Sequence, residues 1–252
     1  MLRVLFVALM YLSVTFAVSA QSLIKDSVMN AFLIEFHYGY YFSEGDMVQR
    51  YGGCSAVGPG AKFKIKKNFI IGAEAHFLFG GNVKEPNLLN EITTKEYGYL
   101  IGSTGIFENY TLSERGFLIK GEVGKIIAFK KPNVNSGIYV ALGLGALQHK
   151  IKIDVDEGAV PYLNEEYQKG YDRLTNGFAI SQFLGYRFFG HYKLLNFFAG
   201  VEIVEAFTQN RRAWNFDTNS SETGTRTDIM FGFKAGLVIP VYRKQTEKYY
   251  YY

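Results

Sequence analysis

The stretch D-I-M-F-G-F-K-A-G-L-V-I-P-V-Y, Asp228 to Tyr242, decides the fold. Ile229, Phe231, Phe233, Ala235, Leu237, Ile239 and Val241 share one parity and are all apolar. Asp228, Gly232, Lys234 and Gly236 fall on the other. A period of two sustained over this length fits a strand with two unlike faces and does not fit a helix. Strands of soluble proteins average about 5–6 residues. At about 3.3 Å per residue this run is long enough to cross, on a tilt, the apolar layer of a membrane. It reads as the closing strand of a barrel, odd positions toward lipid and even positions toward the lumen.

Upstream the design repeats. Phe32, Ile34, Phe36, Tyr38, Tyr40 and Phe42 alternate with Leu33, Glu35, His37, Gly39 and Tyr41, and Phe69 to Phe79 alternates in the same way. Strands are expected at about 31–42, 55–66, 69–79, 115–127, 137–149, 177–188, 194–207 and 228–242. The sixth is the least regular, because Gln182 interrupts the set Phe178, Ile180, Leu184 and Tyr186. Connections after the second, fourth and sixth strands are short, and the others are longer. The expected fold is therefore all-β: an eight-stranded antiparallel up-and-down transmembrane β-barrel with short periplasmic turns and long extracellular loops. A soluble lipocalin-like barrel also has eight strands, but it turns its polar face outward. Here the less apolar face is rich in Gly, Glu, His and Lys, which fills a narrow lumen better than it covers a wet surface.

Composition agrees. The chain has 252 residues, 19 Tyr, 22 Phe and 27 Gly, which suits interfacial rings and a crowded interior. A formal charge of +4 gives no electrostatic case for nucleic acid. The single cysteine, Cys54, cannot form an internal disulfide. Residues 1–20 read as a signal peptide: Arg3, an apolar core from Leu5 to Ala17, then Val18-Ser19-Ala20. Gln21 rather than Cys follows, so no lipoprotein anchor is indicated. Residues 21–252 would then form the barrel, exported to the outer membrane of a Gram-negative cell.

The eight-strand plan resembles the small OmpA-type barrels. The segments G-F-K-A-G-L-V-I-P-V-Y-R-K, Q-H-K-I-K-I, Q-K-G-Y-D-R-L-T-N-G and N-R-R-A-W-N-F-D-T, with the tyrosine-rich end, are more similar to small outer-membrane barrels of Bacteroidota envelopes. The resemblance implies a barrel in contact with outer-membrane lipid and lipopolysaccharide, with a larger envelope or secretion complex as a candidate partner. It carries no catalytic residues.

The lumen face holds the candidate chemistry. Glu35/His37 and Glu74/His76 are Glu-x-His pairs on the first and third strands, and Lys120, Glu122, Glu202 and Lys234 join them. Gly58 and Gly60, opposite His76 and Glu74, would leave them room. An ion-pair network is the first reading, since charges out of water need partners. A metal site of two His and two Glu is the sharper one. It draws on an apparent excess of carboxylates, Glu35, Glu74, Glu122 and Glu202 against Lys120 and Lys234. Protonated His37 and His76 would correct that excess without metal, and no cofactor is expected.

In the last long loop Arg211, Arg212, Trp214 and Phe216 could meet lipopolysaccharide phosphates or a partner protein. Asp154, Asp156, Glu157 and Gly158 only faintly suggest calcium, because the spacing completes no EF-hand. No Ser, His and acid gather as an envelope hydrolase requires, so the chain reads as no enzyme. A structural or recognition barrel with a plugged lumen is expected. The alternative is a narrow transport or permeation barrel.

Overall fold

The structure is a computed structural model that describes residues 30–241 apart from 66, 130–132, 157–159 and 191–195. The expected signal peptide and tyrosine-rich tail lie outside the described residues. Eight long strands form the barrel: β1 (Ala31–Gly45), β2 (Gly53–Lys64), β3 (Phe69–Gly80), β4 (Thr111–Ala128), β5 (Gly137–Asp154), β6 (Thr175–Phe189), β7 (Asn196–Asn210) and β8 (Thr225–Val241). Each pairs antiparallel with its sequence neighbour, and β8 returns to β1 with Tyr38 opposite Ala235, so no edge is left open. Closure satisfies every strand's ladder and removes the free edge that an open sheet would present.

Several strands run further toward the long loops than the sequence suggests. β4 begins at Thr111 and β5 continues to Asp154, so Thr111 pairs with Asp154 above the expected strand ends. Polar residues such as Lys150 and Lys152 conceal that extension, because the outer wall there is wet rather than apolar.

Parity sets the two surfaces. On β5, Ile138, Val140, Leu142 and Leu144 are exposed, while Tyr139, Ala141, Leu147 and His149 are buried. The same alternation on every strand gives an apolar outer band. Gln182 breaks the band as the sequence indicated: it is exposed and outward, opposite Leu142 and Ile203.

Inside, the barrel is filled in layers. At the end with the short connections, Leu33, Ile70, Ile126, Tyr139, Phe183, Phe198 and Val238 form an apolar cluster. A polar layer lies above it. At the far end a second apolar cluster joins strand residues such as Tyr41, Leu78, Leu118 and Val204 to loop residues Met47, Leu88, Leu89, Leu100 and Leu163. Cys54 is buried in this upper cluster.

The long loops are therefore folded parts of the molecule. Segment 81–110 carries a two-residue ladder, Leu100–Ile101 with Phe107–Glu108. It is tied to the first long loop by Lys84 N–H to the Arg50 carbonyl, 2.7 Å. Asn164 caps the short helix Glu165–Gln168 by accepting from the Tyr167 amide. The last loop docks on that segment through Phe216 N–H to the Gly170 carbonyl, 3.0 Å, with the Phe216 ring against Tyr167 and Tyr171. At Gly170 a β-carbon would stand 2.2 Å from the Phe216 ring. Gly170→Val should therefore unseat Phe216 at a cost of about 1–3 kcal/mol. Limited proteolysis within 208–224 should accelerate about tenfold, while barrel strands stay protected.

Candidate functional site

Two polar assemblies occupy the barrel axis. The lower one lies between the apolar layers. Glu74 is its centre: Lys234 Nζ lies 2.7 Å from Glu74 Oε1, and Lys120 Nζ and His76 Nε2 each lie 3.0 Å from it. Lys62 Nζ reaches Glu74 Oε2 at 2.9 Å, Glu122 at 2.6 Å and Glu35 at 3.3 Å. Glu202 takes Lys234 at 2.8 Å, the Tyr41 hydroxyl at 2.6 Å and a direct ion pair from Lys120. Arg187 donates to Glu35, and its guanidinium lies 4.4 Å from the Tyr139 ring centre and 4.9 Å from that of Phe198. Gly60 gives the close approach this packing needs, since a β-carbon there would stand 3.3 Å from Glu35 Cβ and 3.5 Å from Glu74 Cβ.

All eight expected lumen residues, Glu35, His37, Glu74, His76, Lys120, Glu122, Glu202 and Lys234, are buried in this layer. The expected excess of carboxylates is corrected. Lys62 and Arg187 are buried in the same layer, so Glu35, Glu74, Glu122 and Glu202 face Lys62, Lys120, Lys234 and Arg187. Charge closes without protonated histidines. His37 and His76 instead lie ring against ring at 4.3 Å. A metal is equally unneeded. Ligand atoms of Glu74, His76 and Glu202 lie within 4.8 Å of one another, yet the carboxylate oxygens in question already bind Lys120 and Lys234. A cation would have to displace two ammonium groups.

Parity was enough to find both missed cations. Lys62 shares its face with Gly58 and Gly60, and Arg187 shares one with Ser181 and Phe183.

The upper assembly is at the mouth and is built from four loops and the start of β8. A cavity of about 320 Å³ is lined by Arg50, Arg173, Arg226, Glu85 and Glu222. Gln49, Asn215, Thr218, Ser220 and Ser221 complete the wall with amides and hydroxyls. Arg50 donates to both oxygens of Glu222, at 2.8 and 2.6 Å, and to Thr175 at 3.1 Å, and its Nε lies 3.5 Å from Glu85. Arg226 donates to Glu222 at 3.2 Å and to the Asp46 carbonyl at 2.6 Å. Arg173 pairs with Asp217, which stands behind the cavity wall, and lies 4.0 Å from Glu85.

Burial raises the Glu222 pKa. The Arg50 charge, hydrogen bonds from Asn210 and Arg50, and the Arg226 charge outweigh it, leaving a net pKa below 4.5. The support this carboxylate gives the mouth is therefore complete above pH 4.5 and lost as pH falls through its lowered folded value. A ¹³C NMR titration of Glu222 should give a midpoint under 4.5, and Arg50→Gln should raise it.

The four expected loop residues take different places. Arg212 forms a two-pronged pair with Asp172, at 2.8 and 2.5 Å. Arg211 donates to Asn176, and Phe216 packs inside the loop platform. Arg212 and Phe216 serve the loop's own fold, whereas Arg211 and Trp214 are the members of the expected recognition set open to solvent. Asp154 pairs with Lys152 at 2.5 Å, and Glu157 and Gly158 lie outside the described residues.

No family model and no curated protein matches the chain. Solved structures do. The Neisserial surface protein A matches at 8% identity and TM-score 0.41, over 82% of this chain and 96% of that one. The attachment invasion locus protein Ail of Yersinia pestis, solved with the heparin analogue sucrose octasulfate, matches at 9% and 0.44, over 83% and 99%. OprG of Pseudomonas aeruginosa matches at 11% and 0.41, over 87% and 100%. At such identities the likeness concerns the barrel fold alone.

Proposed function

We propose that this chain is an outer-membrane barrel of the recognition type, closed to permeation, whose folded external loops are its working surface. The observation that carries this reading is the combination of an apolar outer band with an interior filled end to end. An eight-stranded barrel is just wide enough for side chains to fill it. Here two apolar clusters sandwich an ion-pair layer in which Lys62, Lys120 and Lys234 are each shared among carboxylates and Arg187 pairs with Glu35. A permeating ion would have to break several buried pairs and two apolar seals.

Lipopolysaccharide contact belongs on the outer wall. Arg115 and Lys150 are paired neighbours on β4 and β5, and Lys152 follows Lys150 on the same face. Arg115 stands two residues beyond Phe117, and Lys150 two beyond Gln148, on the outward face at the loop end of the apolar band, where lipid phosphates meet a barrel. Arg212 is paired with Asp172 within the loops, whereas Arg211 stays exposed and can join this contact.

Among the described residues, nucleophilic catalysis finds no arrangement to support it. Thr208, Asp228 and His149 lie together, but Thr208 and His149 both bind the same Asp228 oxygen. The imidazole therefore does not stand between hydroxyl and acid, as proton relay requires.

Conductance in planar bilayers tests the sealed lumen. The expected record shows no steady current, and a stable open level would overturn the reading in favour of a permeation barrel. Co-purification from native membranes tests the recognition role, with an envelope or secretion assembly as the partner sought.

A further inference from the structure

Gln182 places a polar group in the middle of a lipid-facing wall. It is exposed and outward on β6, with Phe178 and Ile180 on its loop side and Leu184, Tyr186 and Phe188 on the other. Leu142 and Ile203 stand opposite it on the neighbouring strands. Its side-chain amide makes no hydrogen bond among the described residues. Hydrocarbon supplies neither donor nor acceptor, so an amide at this depth stays unsatisfied until a group from another protein reaches it.

The register fixes what lies at the same height. Paired residues lead around the barrel from Leu33 on β1 through Glu122 on β4 and Ser181 on β6 back to β1 at Ser43, ten residues above the start. A level line therefore slips from the pairing row by about 1.25 residues per strand. Gln182 is then level with the gap between Leu142 and Leu144 on β5, and with that between Val201 and Ile203 on β7. Glu205 is the next outward residue of β7 toward the loops, and it has no ion pair or hydrogen bond among the described residues. Its pairing row runs through Ile180 to Leu144. Its level on β5 thus falls between Ala146 and Gln148, with Lys150 the next outward residue. Lys150 is exposed and also has no ion pair among the described residues.

We infer that the β6 wall is the docking surface for a second copy of this chain, side by side in the membrane about a twofold axis through Gln182. Both copies insert in one direction, so the axis stands along the membrane normal and every residue keeps its height across the interface. A contact of this symmetry sets a residue on the axis against itself. An amide suits that place, because it holds donor and acceptor in one group and two of them exchange two N–H···O bonds. The same rotation brings β5 of one copy against β7 of the other. Glu205 then meets Gln148 and Lys150 of the second copy close to its own height, and symmetry repeats the contact. A carboxylate facing lipid alone is costly, and a cation and an amide from the second copy relieve it. Acyl chains match none of these groups, and a foreign protein would need the same pattern on its own wall. The dimer goes beyond the recognition reading: it sets two loop platforms side by side, so a target with repeated sites is held by both.

Sedimentation equilibrium of the refolded barrel in density-matched micelles tests the pairing, and a reversible dimer is expected. Gln182→Leu should weaken dimerisation about tenfold. It should leave the folded monomer at least as stable, because it turns an apolar side chain to lipid. Phe63→Ala, outward on β2 at the opposite wall, should leave the dimer unchanged. Glu205→Lys should weaken the dimer, and adding Lys150→Glu should restore it. Photocrosslinking from position 184 in outer membranes should give a product of two copies.

A barrel that stays monomeric at about 100 μM would overturn the inference. So would Gln182→Leu dimerising as tightly as the parent, a charge exchange that restores nothing, or crosslinks that run to another protein or to lipid alone. A monomer that still inserts into vesicles leaves the membrane barrel and its sealed lumen standing, so the two readings fail separately.

Discussion

Arg187→Met should destabilise the barrel by about 3–5 kcal/mol, the usual cost of removing one partner from a buried ion pair. Arg187 is fully buried and pairs with Glu35, whose only other cation among the described residues is Lys62 at 3.3 Å. Without it, Glu35, Glu74, Glu122 and Glu202 share three lysines, and one carboxylate is left uncompensated in a place water does not reach. The stacking on Tyr139 and Phe198 is lost as well, which Met replaces only in part. The companion variant Glu35→Gln with Arg187→Met removes both charges together. It should recover more than half of the loss, because buried pairs exchanged for neutral groups of similar volume are often nearly neutral. Urea unfolding of barrels refolded into lipid vesicles measures both, and the two single variants with the double complete a cycle that isolates the pair's coupling. Equal stability of the single and double variants would show that the layer is held by packing and not by charge.

That layer also shows what a sequence can and cannot disclose. Period-two alternation placed Glu35, Glu74, Glu122, Glu202, Lys120 and Lys234 inside, because inward and outward positions follow from parity alone. Lys62 and Arg187 obey the same rule. Neither belongs to a Glu-x-His pair, and without these two charges the layer has the appearance of a carboxylate excess. Applied to every strand, the rule balances the layer and removes the motive for a metal. The mouth is different in kind. Arg50 and Arg173 come from separate loops and Arg226 from the start of β8, and no spacing along the chain brings them together. Leu88, Leu89, Leu100 and Leu163 look like isolated apolar residues in polar segments. Their common burial depends on loops packing over one another, a contact of long sequence separation that local pattern does not encode. The extensions of β4 and β5 were hidden for a third reason: above the apolar band the outward face turns polar, so the alternation that marks a strand fades while its hydrogen bonds continue.

Leu142→Arg should cost about 2–4 kcal/mol in a lipid bilayer, the range for a cationic side chain at mid-depth on a barrel's lipid face. Leu142 is 62% exposed and lies in the middle of the apolar run Ile138 to Ala146 on β5. Its outward neighbours are Val123 on β4 and Gln182 on β6. Gln148→Arg, farther along the same face toward Lys150, should cost only about 0–1 kcal/mol, because charge becomes cheap near the interface. The contrast between two arginines on one strand separates lipid exposure from generic disruption. A barrel whose outer face met water would tolerate both or gain solubility from both, so equal, small effects would overturn the membrane assignment. Gln182 refines the expected size. It is a polar side chain already on the apolar band, directly beside position 142, and its amide oxygen can accept from the introduced guanidinium. The measured cost should therefore fall toward 2 kcal/mol, about the lower end of the range. Adding Gln182→Leu should raise it again, because the arginine then has no partner at that depth and must reach for the interface.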